Sequence, residues 1–193
     1  RFDDGINQPP LPPVKDFSPN NTVISSYTPE LKWAPATDPD VADRLRYQVV
    51  LSRDSGFSGR TFITEESAYD NNEIKIRIPL LENRQYFWRV RSIDLSETRS
   101  AWSRTNSFWV NNINEAPARP VKILRPQNLE EITLETIFWW MPSADPDPGD
   151  QLFYQIEFSE NISFVKPLVS YRIPETLSAR QTVTKPPLPP ESI

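Results

Sequence analysis

Two loops of the chain each carry three aspartates within six positions, a density that suggests chemistry. The stretch WAPATDPDVADRLRYQ spans 33–48, and WMPSADPDPGDQLFYQ spans 140–155. The six residues are Asp38, Asp40 and Asp43 in the first stretch, and Asp145, Asp147 and Asp150 in the second. Carboxylate oxygens are the ligands that Ca²⁺ prefers, and this ion takes about six to eight of them. Both stretches are therefore candidate calcium sites, with Asn112, Asn114 or Glu115 as additional ligands.

A structural turn explains the same residues without any ligand. Aspartate bonds its own backbone in turns, and proline presets the φ angle that a turn requires. Proline interrupts both stretches, and neither has the glycine-centred spacing of an EF-hand loop. The turn is the preferred interpretation, so we expect no cofactor, with calcium as the alternative.

A catalytic use of these carboxylates is the third alternative. Glycosidase-type chemistry needs two acids about 5–10 Å apart across a cleft, one of them with a raised pKa. Clustered aspartates on loops of an acidic chain are expected to be solvated instead. The chain also contains no histidine and no cysteine, which removes the usual bases, thiol nucleophiles and zinc ligands. We predict no catalytic residues and no enzyme activity.

The charge of the chain excludes two classes of partner. A formal net charge of −5 argues against binding to nucleic acid or to an anionic membrane surface, because both attract an excess of lysine and arginine. No apolar run approaches the roughly 18 residues of a membrane span, so direct membrane insertion is not expected.

The two aspartate stretches belong to a longer internal repeat. Trp33 and Trp140 are 107 residues apart, and the same offset relates many other positions without a gap. A period of this length is that of a whole domain rather than of a small solenoid unit. The sequence therefore predicts a first domain at 8–113 and a second at 114–193. Residues 1–7 correspond to the end of a preceding repeat and its linker, and we expect the array to continue beyond both termini.

The strands show a period of two. Leu45, Tyr47, Val49 and Leu51 share one face of LRYQVVL. In the stretch 86–92, Tyr86, Trp88 and Val90 alternate with Phe87, Arg89 and Arg91. Short alternating runs separated by Pro, Asn, Asp and Ser turns are typical of a half-buried antiparallel sandwich. The chain is predicted to be all-β.

Several of these residues resemble a fibronectin type III domain of the kind found in tandem on bacterial envelope and secreted proteins. The resemblance rests on Trp33, on Tyr47, on LLENRQYFWRVRSID at 80–94 and on SAWS at 100–103. It implies tandem immunoglobulin-like β-sandwiches, with a tyrosine corner at Tyr86 before strand F. The second unit lacks the signatures of strands F and G. We therefore expect it to be incomplete in this chain, its C-terminal strands being supplied by later residues or by another chain.

The resemblance also implies strand positions for the aromatic residues that recur in both units. Trp33 and Trp140 would lie on strand B, and Tyr47 and Tyr154 on strand C. The tyrosine corner would involve Leu80 or Leu81, and 99–104 would carry the Trp-Ser element before strand G.

The outward phase of strand F offers a candidate binding surface. Arg89 and Arg91 lie on that phase, and Trp102 lies in the element expected beside it, which predicts a ladder of stacked cation–π contacts. The alternative is an exposed patch for a glycan or a protein partner. The candidate surface residues are Phe87, Arg89, Arg91, Trp102, Trp109 and, in the second unit, Trp139.

These patterns predict a non-catalytic, extracytoplasmic array of domains that serves as a spacer or scaffold. Its partners are expected to be other domains of the same polypeptide. A protein or glycan ligand is a further candidate partner, and binding it would give the array a role in adhesion. A carbohydrate-binding accessory module of a larger secreted enzyme is one alternative. The other is a cadherin-like adhesin made rigid by calcium.

Overall fold

The computed structural model of the chain contains strands, turns and, among the residues it describes, no helix. The structure describes residues 6–40, 43–59, 63–121, 123–131, 137–165, 169–175 and 181–184. None of these residues belongs to a helix long and apolar enough to cross a membrane. The chain divides into two compact units, Arg1–Asn114 and Glu115–Ile193. The all-β prediction is confirmed.

The first unit consists of two sheets. Its strands are β1 (Thr22–Ile24), β2 (Glu30–Lys32), β3 (Arg46–Ser52), β4 (Ile63–Glu66), β5 (Glu73–Lys75), β6 (Arg84–Ile93) and β7 (Asn106–Val110). One sheet has the order β1-β7-β6-β3-β4, and the other pairs β2 with β5. Neighbouring strands are antiparallel except β1 and β7, which run parallel.

The core of this unit follows from the alternation along the strands. Along β6 the even positions from Tyr86 to Val90 are buried, while the odd positions from Gln85 to Arg91 are half-buried. Trp33, directly after β2, packs edge-on against Tyr47 of β3 with ring centroids 5.2 Å apart, and lies 6.3 Å from Trp88. Edge-to-face aromatic pairs add about 0.5–1.5 kcal/mol beyond the burial of their area. The two sheets are thus joined by large rings at the centre of the unit.

A tyrosine corner fixes the turn that leads into β6. The backbone N–H of Leu81 donates a hydrogen bond to the hydroxyl of Tyr86 at 2.9 Å, and Leu80 is buried beside it. This corner was expected from the resemblance and is confirmed.

The second unit repeats several strands of the first. Its strands are β8 (Ile123–Arg125), β9 (Ile137–Trp140), β10 (Phe153–Phe158), β11 (Val169–Pro174) and β12 (Gln181–Thr184). They form a sheet of order β12-β9-β8 and a pair β10-β11. At the 107-residue offset, β9, β10, β11 and β12 correspond to β2, β3, β4 and β5. Trp140 packs against Tyr154 with centroids 5.3 Å apart, as Trp33 packs against Tyr47. The prediction that the second unit lacks its last two strands concerns residues after β12, which lie outside the described ranges. Residues 1–5 of the predicted leading segment also lie outside them.

The repeat extends to individual hydrogen bonds. The hydroxyl of Tyr47 accepts the backbone N–H of Ala36 at 2.9 Å, and that of Tyr154 accepts the N–H of Ser143 at 2.7 Å. The loops after β3 and β10 also match: Phe57 and Phe164 both have positive φ, at 53° and 48°. Their amides donate to the carbonyls of Asp54 and Asn161, which are themselves related by the 107-residue offset.

Candidate functional site

The first aspartate loop is closed by its own side chains. It lies between β2 and β3, where Asp38 Oδ1 accepts a hydrogen bond from the backbone N–H of Asp40 at 2.8 Å. This bond forms an Asx turn, and Pro39 between the two aspartates fixes φ. One carboxylate oxygen from each of Asp38, Asp40 and Asp43 lies within 4.8 Å of the other two. The loop therefore gathers three negative groups at one point.

The same loop binds the segment that enters the unit. Asp40 Oδ2 accepts a hydrogen bond from the backbone N–H of Gln8 at 2.7 Å. The carbonyl of Thr37 accepts the N–H of Leu11 at 2.9 Å. Because a charged acceptor forms a stronger hydrogen bond than a neutral one, Asp40 is an effective anchor for the incoming chain.

The second aspartate loop repeats this arrangement. Asp145 Oδ1 accepts the N–H of Asp147 at 2.9 Å, and Asp147 Oδ2 accepts the N–H of Glu115 at 2.7 Å. Asp145, Asp147 and Asp150 again bring one oxygen each within 4.8 Å of the others. Asp147 is only 4% exposed, whereas Asp150 is exposed. The turn role preferred from the sequence is present in both units, and it uses the first two aspartates of each loop.

Each loop also leaves one carboxylate oxygen buried without a hydrogen-bond partner among the described residues. These atoms are Asp38 Oδ2 in the first loop and Asp147 Oδ1 in the second. The first loop borders a cavity of about 450 Å³ whose wall includes Asp70, which pairs with Arg44 at 2.6 Å. Because three carboxylates of the loop also lie in its wall, this cavity can hold a cation and disfavours an anion.

The outward face of the five-stranded sheet carries a stack of arginine and aromatic side chains. Arg91 lies over the ring of Trp102, its Cζ 4.3 Å from the centroid, and Arg89 lies over the same ring at 4.7 Å. Arg89 also lies over the ring of Phe57 at 4.3 Å. The ladder expected from the alternation of β6 is therefore present, and it includes Phe57, a residue that the sequence did not assign to it.

Hydrogen bonds continue the ladder across the sheet. Both Nε and Nη2 of Arg91 donate to Gln48 Oε1, at 2.9 and 2.6 Å, and Gln48 Nε2 donates to Glu66 Oε1 at 3.1 Å. Burial lowers the pKa of the Arg91 guanidinium, and the charges of Arg99 and Arg89 act in the same direction. Register explains the contact, since Gln48 of β3 is paired with Arg91 of β6.

The remaining candidate surface residues lie outside the stack of Arg89, Arg91 and Trp102. Phe87 is half-buried on the same face of β6 as Arg89. Trp109 is half-buried on β7, where it is paired with Gln85 of β6 and Val23 of β1. Trp139 is half-buried on β9 of the second unit. The structure thus brings Arg89, Arg91 and Trp102 into one stack, with Trp109 further along the same face.

A carboxylate at the exit of the first unit was not found by sequence reasoning. Glu82 Oε1 accepts the backbone N–H groups of Asn112 at 2.6 Å and of Ile113 at 3.1 Å. Burial raises the pKa of Glu82, but hydrogen bonds from Ile113, Tyr27 and Asn112 outweigh it, and the pKa is lowered. Glu82 has no acidic counterpart at the 107-residue offset, where Pro189 stands, so the repeat gave no signal for it.

A family model matches the first unit. Residues 16–111 match the family described as "Rha78A-like, N-terminal immunoglobulin domain". This range contains β1 to β7 and both carboxylate anchors, Asp40 and Glu82. No match is found among curated proteins. The immunoglobulin-like fold predicted for the unit is confirmed.

Three solved structures are similar to the chain at low identity. The α-L-rhamnosidase from Dictyoglumus thermophilum has 17% identity and a TM-score of 0.43, covering 72% of this chain and 16% of that chain. The FN1-FN3 domains of chicken CNTN1 have 11% identity and a TM-score of 0.41, covering 93% and 59%. The α-L-rhamnosidase from Streptomyces avermitilis, complexed with L-rhamnose, has 16% identity and a TM-score of 0.35, covering 93% and 19%. The chain thus spans less than two thirds of each of these chains.

Proposed function

We propose that this chain, whose first unit matches an N-terminal immunoglobulin domain family, is a non-catalytic spacer that connects other domains of a longer extracytoplasmic polypeptide. The observation that carries the proposal is that carboxylates hold the backbone at both the entry and the exit of the first unit. A spacer needs such anchors, because an unanchored connector lets the modules it joins move independently.

The entry anchor is Asp40 and the exit anchor is Glu82. Asp40 binds the amide of Gln8, and Glu82 binds the amides of Asn112 and Ile113. Each anchor is an ionised acceptor for backbone N–H groups, the stronger kind of hydrogen bond. The chain is therefore fixed to the sandwich before it enters and after it leaves.

The second unit has its own entry anchor in Asp147, which binds the amide of Glu115. Glu82 binds the amide of Ile113 and Asp147 binds that of Glu115, so Asn114 is the one residue between these two anchored amides. Pro117 and Pro120 follow, and proline stiffens a connector by fixing φ. These features support a short connector with little conformational freedom.

Nuclear magnetic relaxation of backbone ¹⁵N tests the proposal. We expect the amides of Asn112 and Ile113 in the wild-type chain to be as rigid as those of the strands, and Glu82→Ala to make both amides more mobile. Glu160→Ala, at an exposed position of the second unit, is the control and should leave both amides unchanged. Mobile amides at Asn112 and Ile113 in the wild-type chain would contradict the spacer role.

The family match favours a second candidate, an accessory module of a larger carbohydrate-acting enzyme. Trp102 is a poor sugar platform because two guanidinium groups lie over its ring. Trp109 and Trp139 are the remaining aromatic candidates. A glycan array with the purified chain would support this candidate if binding is lost on Trp109→Ala or Trp139→Ala, and absence of binding would remove it.

A further inference from the structure

We propose that each aspartate loop is a binding site for one calcium ion. The ligands are carboxylates of Asp38, Asp40 and Asp43 in the first unit, and of Asp145, Asp147 and Asp150 in the second. The inference goes beyond the spacer role and does not depend on it.

The spacing of the carboxylates fits a single ion. Calcium–oxygen bonds are about 2.3–2.6 Å long, so two oxygens on the same ion are at most about 5 Å apart. The three oxygens of each loop lie within 4.8 Å of one another. Magnesium binds at about 2.0–2.1 Å in a strict octahedron and gives up its water reluctantly, so calcium is the better fit to carboxylates on a loop.

The buried oxygens without partners are a second observation that points to a ligand. Asp147 is 4% exposed, its Oδ2 is occupied by the amide of Glu115, and its Oδ1 has no hydrogen-bond partner among the described residues. A buried carboxylate oxygen without a hydrogen bond or a cation is strongly unfavourable. A calcium ion beside Asp147 would supply the missing interaction.

The first loop has an equivalent unsatisfied atom on a different residue. Asp38 Oδ1 accepts the amide of Asp40, while Asp38 Oδ2 is buried and has no partner in the described structure. The turn role accounts for one oxygen each of Asp38 and Asp40. It does not account for the buried Oδ2 of Asp38, and a cation beside that oxygen would.

The local charge and space also suit a cation. Three carboxylates carry three negative charges against two on calcium, and the cavity of about 450 Å³ beside the first loop leaves room for water ligands. The Asx turns hold the first two carboxylates of each loop in place, so little reorganisation is required on binding. With three protein carboxylates and water as ligands, we expect affinity in the range of extracellular modules, about 10⁻⁴–10⁻³ M.

Isothermal titration calorimetry of the full chain with calcium chloride tests the proposal. The variants are Asp38→Asn with Asp43→Asn, Asp145→Asn with Asp150→Asn, and all four together. Asparagine keeps the amide-accepting oxygen of the Asx turn but removes the charge, and the anchors Asp40 and Asp147 stay intact. We expect about two ions bound by the wild type, one by each double variant and none by the fourfold variant, with magnesium binding more weakly.

Glu160→Gln is the matched control, because it removes an exposed negative charge of the second unit outside the loop. It should bind calcium as the wild type does. No heat of binding and no shift in melting temperature at about 10 mM calcium would overturn the proposal. Unchanged binding by the fourfold variant would also overturn it, since other acids would then hold the ion.

Folding of the variants is checked by their melting temperatures in chelator. In each double variant the untouched loop serves as an internal reference. If the fourfold variant does not fold, the single changes Asp43→Asn and Asp150→Asn give the same comparison, since neither residue forms the Asx turn. The relaxation experiment on Glu82→Ala is carried out in chelator, so failure of the calcium sites and failure of the spacer role are distinguished.

Discussion

The guanidinium of Arg91 lies over the ring of Trp102, its Cζ 4.3 Å from the ring centroid. Arg91 is fixed there because it also donates two hydrogen bonds to Gln48 Oε1. Arg89 covers the same ring and reaches Phe57. The outward face of the sheet is thereby held together by contacts within the unit.

Replacing Trp102 should destabilise the first unit through this stack. We expect Trp102→Leu to lower the free energy of unfolding by about 1–3 kcal/mol, since two cation–π contacts and apolar packing are lost. Trp102→Phe keeps an aromatic face and should lose less, by about 0.5–1 kcal/mol. Urea denaturation measures both, and equal stability of the Leu and Phe variants would show that the ring acts only through its volume.

The buried tyrosine hydroxyls should be needed for stability in both units. Tyr47→Phe leaves the amide of Ala36 without its acceptor, and Tyr154→Phe does the same to Ser143. Loss of a hydrogen bond at a half-buried donor costs about 0.5–1.5 kcal/mol, so the melting temperature of the affected unit should fall. Tyr69→Phe is the control, because the bond that its hydroxyl accepts from Arg46 is long, at 3.4 Å. A similar fall for all three variants would argue against the hydrogen bonds as the cause.

The loop after β3 should give the first unit an acid-sensitive stability. The Ser58 hydroxyl and the amides of Gly56 and Ser58 donate to Asp54 and lower its pKa from 3.8 to about 2. Because the folded-state pKa is depressed, the stabilisation is complete above pH 3.8 and is lost as the pH falls through about 2.

The variant Asp54→Asn tests this pH dependence. Asparagine fits the turn, since Asn161 occupies the equivalent position of the second unit and accepts the amide of Ser163 at 2.8 Å. We expect the variant to lack the acid-dependent part of the stability of the first unit, so its difference from wild type should shrink as the pH is lowered. Thermal melts at several pH values measure this difference, and a constant difference would contradict it.

Glu82 should protect the exit of the first unit from hydrogen exchange. Its Oε1 accepts the amides of Asn112 and Ile113, which have no strand partner after β7 ends at Val110 in the described structure. Glu82→Ala should raise the exchange rates of these two amides roughly 5–10-fold, as expected for loss of about 1–1.5 kcal/mol. The amide of Val90 on β6 should exchange as in the wild type, and unchanged rates at Asn112 and Ile113 would show that Glu82 is not the anchor.

Much of the fold could be predicted because it follows from local patterns. The period of two along 84–93 assigns each side chain to a face, and burial along β6 follows it. The 107-residue offset aligned Trp140 and Tyr154 with Trp33 and Tyr47. The ring distances of the two pairs differ by only 0.1 Å, 5.3 against 5.2 Å.

The site was less predictable because it depends on loops. Phe57 lies in the loop after β3, and Arg89 lies on β6. No periodicity of the sequence specifies which strand a loop residue will contact. The recurrence of Phe57 as Phe164 was visible, but it gave no indication of the partner. Glu82 is unique to the first unit, so nothing in the repeat distinguished it from any exposed glutamate.

The sequence alone determined which side chains face inward, that the unit is repeated, and that each repeat has a loop with three aspartates, because these properties depend on spacing along the chain. Tertiary structure decided which oxygen of each aspartate is used. Asp147 Oδ2 meets the amide of Glu115, whereas Asp147 Oδ1 is buried without a partner, and this difference arises only when segments 32 residues apart pack together. Burial and hydrogen bonding depend on all neighbours in space, and spacing along the chain does not encode them.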